Sequence, residues 1–190
     1  MTLIEKTAYP QFTSEVLVAP ALQSEFYPTD EEIRFVYRHA RSERGHLTLL
    51  VLLKVHQFLG QTIPVHQIPM PIVDYLLSRL GLSEHTSPLR ENATNKKQFY
   101  RYRQSIRQFL QIQSWSSDAE QMVRQTVQKA AERMSAPSDL INVALETLSD
   151  NHYELPAFST LDRLVKQIRQ QVHQKIYQQT ANLGVLSGYV

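Results

Sequence analysis

Cysteine is absent from the 190 residues. That excludes a disulfide framework, a thiolate nucleophile and a cysteine-ligated zinc site. Glycine is scarce, 5 residues in 190, well under the usual ~7% that strands and tight turns draw on. The five, at positions 45, 60, 81, 184 and 188, are too dispersed for either Gly-rich phosphate loop. No Gly-x-Ser-x-Gly elbow occurs. Histidines at 39, 46, 56, 66, 85, 152 and 173 contain no His-x-x-x-His pair, and zinc needs three or four converging ligands. The longest apolar run, between His46 and His56, is broken by Thr48 and Lys54, far short of the ~20 residues of a membrane span. Met1-Thr2-Leu3-Ile4-Glu5-Lys6 lacks the basic and apolar regions of a signal peptide. These patterns contain no active site. No metal, no cofactor and no membrane partner is expected, and a reducing, cytoplasmic setting follows.

What is present points to helices and to uneven charge. An apolar fraction of 42% is too high for a disordered chain. The net charge is only +2, yet residues 34–107 hold twelve basic side chains against four acids (Glu43, Asp74, Glu84, Glu91), a local +8. The rest of the chain carries −6. Such a basic middle attracts polyanions before any specific contact forms.

Along the chain, Pro10, Pro20 and Pro28 predict an irregular lead-in over 1–28, packed through Tyr9, Phe12, Val16, Val18, Leu22 and Phe26. Thr29 with Glu32 forms a capping box, and Asp30 and Glu31 complement the helix dipole. Ile33, Val36, Tyr37 and Ala40 then make one apolar stripe beside a basic stripe of Arg34, Arg38 and Arg41. Leu47 to Leu59 reads as a buried helix closed by a left-handed Gly60. Pro71 opens a helix over 72–80 that Gly81 ends. A polar loop spans 83–95. Further helices are predicted near 96–110, near 118–134 with Ser117 and Glu120 as caps, near 139–149, and after Ser159. About seven helices, no sheet and no internal repeat are expected.

The helix from Lys96 to Leu110 carries the strongest functional signal. Phe99, Tyr102, Ile106, Phe109 and Leu110 form its apolar side. Lys97, Arg101, Gln104 and Gln108 lie opposite at helical spacing. An outward face of Lys, Arg and Gln alone suits a major groove: Arg can grip guanine and Gln adenine, while Lys meets phosphates. The last helix repeats the theme less strongly with Arg163, Gln167, Gln170 and Gln174, since Gln is also simply a good helix former.

Several stretches resemble the amino-terminal domain of the replicative transposases of the Tn-three family. They are Tyr9-Pro10-x-Phe12, Tyr27-Pro28-Thr29-x-Glu31-Glu32, Leu50-Val51-Leu52-Leu53-Lys54-x-x-Gln57-x-Leu59-Gly60, Ile68-Pro69-x-x-Ile72-Val73, Arg103-x-x-Ile106-Arg107-x-x-Leu110 and Tyr153-Glu154-Leu155-Pro156-Ala157-Phe158-Ser159-Thr160-Leu161. Their shared order covers roughly residues 9–180. The resemblance implies a helical region that recognises terminal inverted repeats of a transposon on the bacterial nucleoid. It also implies that strand cleavage belongs to a remainder outside this sequence, so that the chain binds ends without cutting them. The sequence departs from the family where Leu110-Gln111-Ile112 stands in place of a Gly turn, and in the tail Leu183-Gly184-Val185-Leu186-Ser187-Gly188-Tyr189-Val190.

The expectation is therefore an all-α protein: a lead-in over 1–28, one helix-turn-helix-like lobe over 29–82, a second over 83–180, and a tail over 181–190. Double-stranded DNA is the expected partner, with the rest of a transposase or a second protomer beside it. Lys96, Lys97, Arg101, Arg103, Gln104, Arg107 and Gln108 are the leading DNA contacts, and Arg34, Arg38, Arg41, Arg44 and Lys54 the phosphate clamps. The rival reading is a helical interaction module whose basic stripe meets an acidic protein. An enzyme fragment with an unseen activity is the remaining alternative.

Overall fold

Three helix starts in this chain, at Thr29, Ser42 and Ser116, use short polar side chains that satisfy otherwise unbonded backbone N–H groups. Thr29 accepts from the Glu32 N–H at 3.2 Å, and the Glu32 carboxylate accepts from the Thr29 N–H at 2.7 Å, closing the expected box. Ser42 caps the next helix by accepting from the Gly45 N–H at 3.1 Å. The computed structural model describes residues 3–186, with side chains through residue 179. Among the described residues there are eight α-helices and no strand. They are α1 (Ala19–Phe26), α2 (Asp30–His39), α3 (Glu43–Leu59), α4 (Met70–Arg79), α5 (Lys96–Leu110), α6 (Ser117–Ala131), α7 (Pro137–Asp150) and α8 (Phe158–Leu186). The all-α expectation holds.

The chain forms two compact units, Pro10–Ile112 and a flanking unit of Met1–Tyr9 with Gln113–Val190. This division differs from the lobes expected at 29–82 and 83–180. The basic helix α5 belongs with the helices before it, because Phe99, Tyr102 and Ile106 join the core built by α1 to α4. The expected tail over 181–190 reaches positions 187–190 outside the described residues; α8 itself runs to Leu186.

The 10–112 unit is organised by α3. Leu47, Leu49, Leu50, Val51, Leu52, Leu53 and Val55 are all buried, so the helix is apolar on every side and must be surrounded. Helices α1, α2, α4 and α5 all pack on it. It ends at Gly60, whose φ of 65° is left-handed and whose N–H donates to the His56 carbonyl. The lead-in is not irregular throughout, since α1 occupies 19–26. Pro20 lies in the first turn of α1, where its missing N–H breaks no helical bond. Leu22 and Phe26, one turn apart, face inward.

On α2 the inward stripe is shifted from the expected one. Phe35 is buried and stacks on Phe109 of α5 with centroids 4.4 Å apart, while Tyr37 is half exposed. Helix α5 ends at Gln111, which adopts φ 55° and ψ 40°. A glutamine thus takes the left-handed turn that glycine makes at the lowest steric cost.

In the flanking unit α6, α7 and α8 pack pairwise around Val123, Val127, Ile141, Leu148, Leu161 and Val165. The cap of α6 is Ser116 rather than Ser117, and the helix stops at Ala131, short of the expected 134, leaving Met134 beyond it and exposed. Residues 8 and 9 return to this unit. The Ala8 N–H donates to Asn142 Oδ1 at 2.8 Å, and the buried Tyr9 hydroxyl donates to the Pro156 carbonyl at 2.7 Å. Gln113 and Tyr153 form an isolated parallel bridge.

Candidate nucleic-acid interface

Helix α5 owes its orientation to its apolar side. Phe99, Tyr102 and Ile106 are buried at 1–3% exposure, which fixes the opposite side outward. Lys97, Arg101, Gln104 and Gln108 are all exposed, as is Lys96. No carboxylate occurs anywhere on the helix. The four side chains thus form one ridge of donors about 16 Å long, taking ~1.5 Å of rise per residue.

Tyr102 anchors the ridge from beneath. Its hydroxyl accepts from Gln98 Nε2 at 2.6 Å. Burial pushes its acidity constant above the ordinary 10.0, while the Gln98 hydrogen bond and the Arg101 charge pull the other way. Tyr102 therefore stays a neutral hydrogen-bonding post at physiological pH.

The flanks of α5 are less free. Arg103 is half-buried and pairs with Glu91 at 2.6 Å, with its guanidinium 5.9 Å from the Phe99 ring centroid. Arg107 is half-buried. Of the more distant cations, Arg34, Arg38 and Arg41 are exposed. Arg44 is exposed too, but its guanidinium donates to the carbonyls of Ser87 at 3.1 Å and Pro88 at 3.2 Å. It braces the 83–95 loop, helped by the Leu89 N–H donating to Thr48 Oγ1 at 2.7 Å.

Lys54 is a correction. It is not a phosphate clamp: it is 6% exposed, and its Nζ lies 3.3 Å from both oxygens of Glu32. Gln57 also donates to Glu32, at 2.6 Å. A buried ammonium needs a paired counter-charge, and the carboxylate comes from a residue 22 positions away. A tally of charge along the chain cannot see that pairing.

Two polar clefts accompany the ridge. One, of about 470 Å³, opens between the α2–α3 turn and α5 and is lined by Arg38, Arg41, Ser42, Gln98, Arg101 and Ser105. The other, of about 500 Å³, brings Arg44 together with His85, Arg90, Asn92 and Asn95. Arg90 was not singled out by spacing, because it lies in a loop with no periodicity to read.

The outer face of α8 shows Arg163, Gln167, Gln170 and Gln174, all exposed. Arg124 donates to Gln167 at 3.3 Å while pairing with Glu120 at 2.7 Å, so a carboxylate neighbours this face. Among the described residues no group of three or more histidines and carboxylates could hold a metal ion. No described helix is long and apolar enough to cross a membrane.

Fold and surface together define an all-helical protein with an exposed cationic helix. Residues 1–168 match a domain of unknown function, DUF4158, and the chain belongs to that family. No curated protein matches it.

Proposed function

We propose that this chain binds double-stranded DNA, with α5 as the helix that enters the major groove. The observation that carries the reading is the exposed ridge of Lys97, Arg101, Gln104 and Gln108 on a helix without a single acid. A helix ~10–12 Å across fits a groove ~12 Å wide. Its amide side chains can read adenine edges, and its cations meet phosphates and guanine. The resemblance of the ordered motifs to the Tn-three transposases supports terminal inverted repeats of a transposon as the target, and a place on the bacterial nucleoid. The reading gives these residues binding and no strand cleavage, and it requires no cofactor. Partners beyond DNA are the rest of a transposase or a second protomer.

Selection from a randomised duplex pool, followed by fluorescence titration of the selected and a scrambled duplex, tests it. If about six phosphates are engaged, log K falls against log salt with a slope near −5 between ~50 and ~200 mM. Lys97→Ala with Arg101→Ala should weaken binding while helix content and melting stay unchanged, because both side chains are exposed. Flat salt dependence, or no binding to either duplex alongside retained self-association, would transfer the ridge to an acidic protein partner.

A further inference from the structure

We propose that the cleft between the α2–α3 turn and α5 is a seat for one phosphodiester group, and that Arg101 works there rather than as a reader of bases. The proposal rests on the DNA-binding reading above and divides its labour. Three arginines, Arg38 and Arg41 from one side and Arg101 from the other, line a single cleft of about 470 Å³ that no carboxylate lines. Arginine keeps its charge at every accessible pH, so a cleft lined by three of them and by no acid attracts an anion. The planar fork of a guanidinium matches phosphate oxygens in pairs. Ser105 and Gln98, also in the lining, add neutral polar groups that suit the flanking ester oxygens and sugar. The volume lies in the ~300–1,000 Å³ range of ligand sites, which leaves room for the sugars on either side of a phosphate.

The consequence is positional. Phosphate contacts fix register and carry no sequence information, whereas base contacts specify. Arg101 lies on the same exposed ridge as Gln104 and Gln108, yet it alone of the three lines the cleft. With Arg101 committed to backbone, base reading falls to Gln104 and Gln108.

The test compares three variants of the full chain on the selected and scrambled duplexes across a salt series. Arg38→Ala with Arg41→Ala, and separately Arg101→Ala, should each make the salt slope shallower by about 0.9, the loss of one phosphate, and leave the affinity ratio between duplexes within about twofold. Gln104→Ala with Gln108→Ala should leave the slope and collapse the ratio. An unchanged slope in the arginine variants, or a collapsed ratio in Arg101→Ala, overturns the proposal. Should the wild-type chain bind no duplex, the DNA reading fails by itself. Amide resonance shifts on adding sodium pyrophosphate then decide the cleft alone. Shifts at Ser42 and Ser105 that vanish in Arg38→Ala with Arg41→Ala mean a seat for free phosphate; no shift means no seat.

Discussion

Replacing Lys54 by methionine separates a structural cation from a functional one. The side chains of Lys54 and Glu32 are 8% and 6% exposed, so removing the ammonium leaves a carboxylate in the interior. Breaking a buried pair from one side costs about 3–5 kcal/mol. Here Glu32 keeps two neutral donors, the Thr29 N–H at 2.7 Å and Gln57 Nε2 at 2.6 Å. Those bonds hold part of the remaining charge, which places the loss near the lower bound, about 3 kcal/mol. With a urea dependence of about 2 kcal/mol/M, the unfolding midpoint falls by about 1.5 M. Far-UV circular dichroism against urea reads this directly. Glu32→Gln with Lys54→Met removes both charges and should recover about half of the loss. Duplex binding, measured where Lys54→Met remains folded, should keep its salt slope. A loss below about 1 kcal/mol accompanied by a shallower slope would refute the reasoning, for it would show Lys54 reaching solvent and phosphate.

Gly45→Ala should destabilise despite alanine's better helix propensity. The new Cβ would lie 2.8 Å from the Tyr102 hydroxyl and 3.1 Å from Ser42 Oγ, and Tyr102 is 3% exposed with little room to yield. Overpacking at about 1–3 kcal/mol outweighs a propensity gain of about 1 kcal/mol, and thermal melting would show a lowered midpoint; a raised one would mean that Tyr102 moves freely. In alkali, stability should fall with Tyr102. Its folded acidity constant lies above the unfolded 10.0, so the native state holds the proton longer. The contribution is complete below pH 10 and is lost as pH rises through the folded value. Urea midpoints in Tyr102→Phe should lose part of that alkaline slope, and an identical slope would remove Tyr102 as its source.

What could be read from the chain in advance was local. Thr29 and Glu32 are three residues apart, Gly60 follows an apolar run, and the sides of α5 follow helical spacing. Each signal lies within a turn or two of the residue it governs. The features that escaped were long-range or depended on which of two neighbours acts. Lys54 finds Glu32 only once α2 lies on α3, and Phe35, stacked on Phe109, holds the interior place expected for Tyr37. Pro20 carries the same symbol whether it ends a segment or opens a helix. Ser116 and Ser117 are equally good caps on paper. Within the interface, the α5 ridge was legible, whereas the grouping of Arg38 and Arg41 with Arg101 needed the α2–α3 turn in place.

The return of Ala8 and Tyr9 to Asn142 and Pro156 gives biosynthesis an order. Everything that builds the 10–112 unit has been translated when Ile112 is added, and domains tend to fold as they emerge. The opening strand of chain then waits, its acceptors not yet made, for a few seconds at ~5–20 residues per second. A chain truncated shortly after Ile112 and released from the ribosome should therefore already hold a folded α5, with residues 3–9 still accessible to protease.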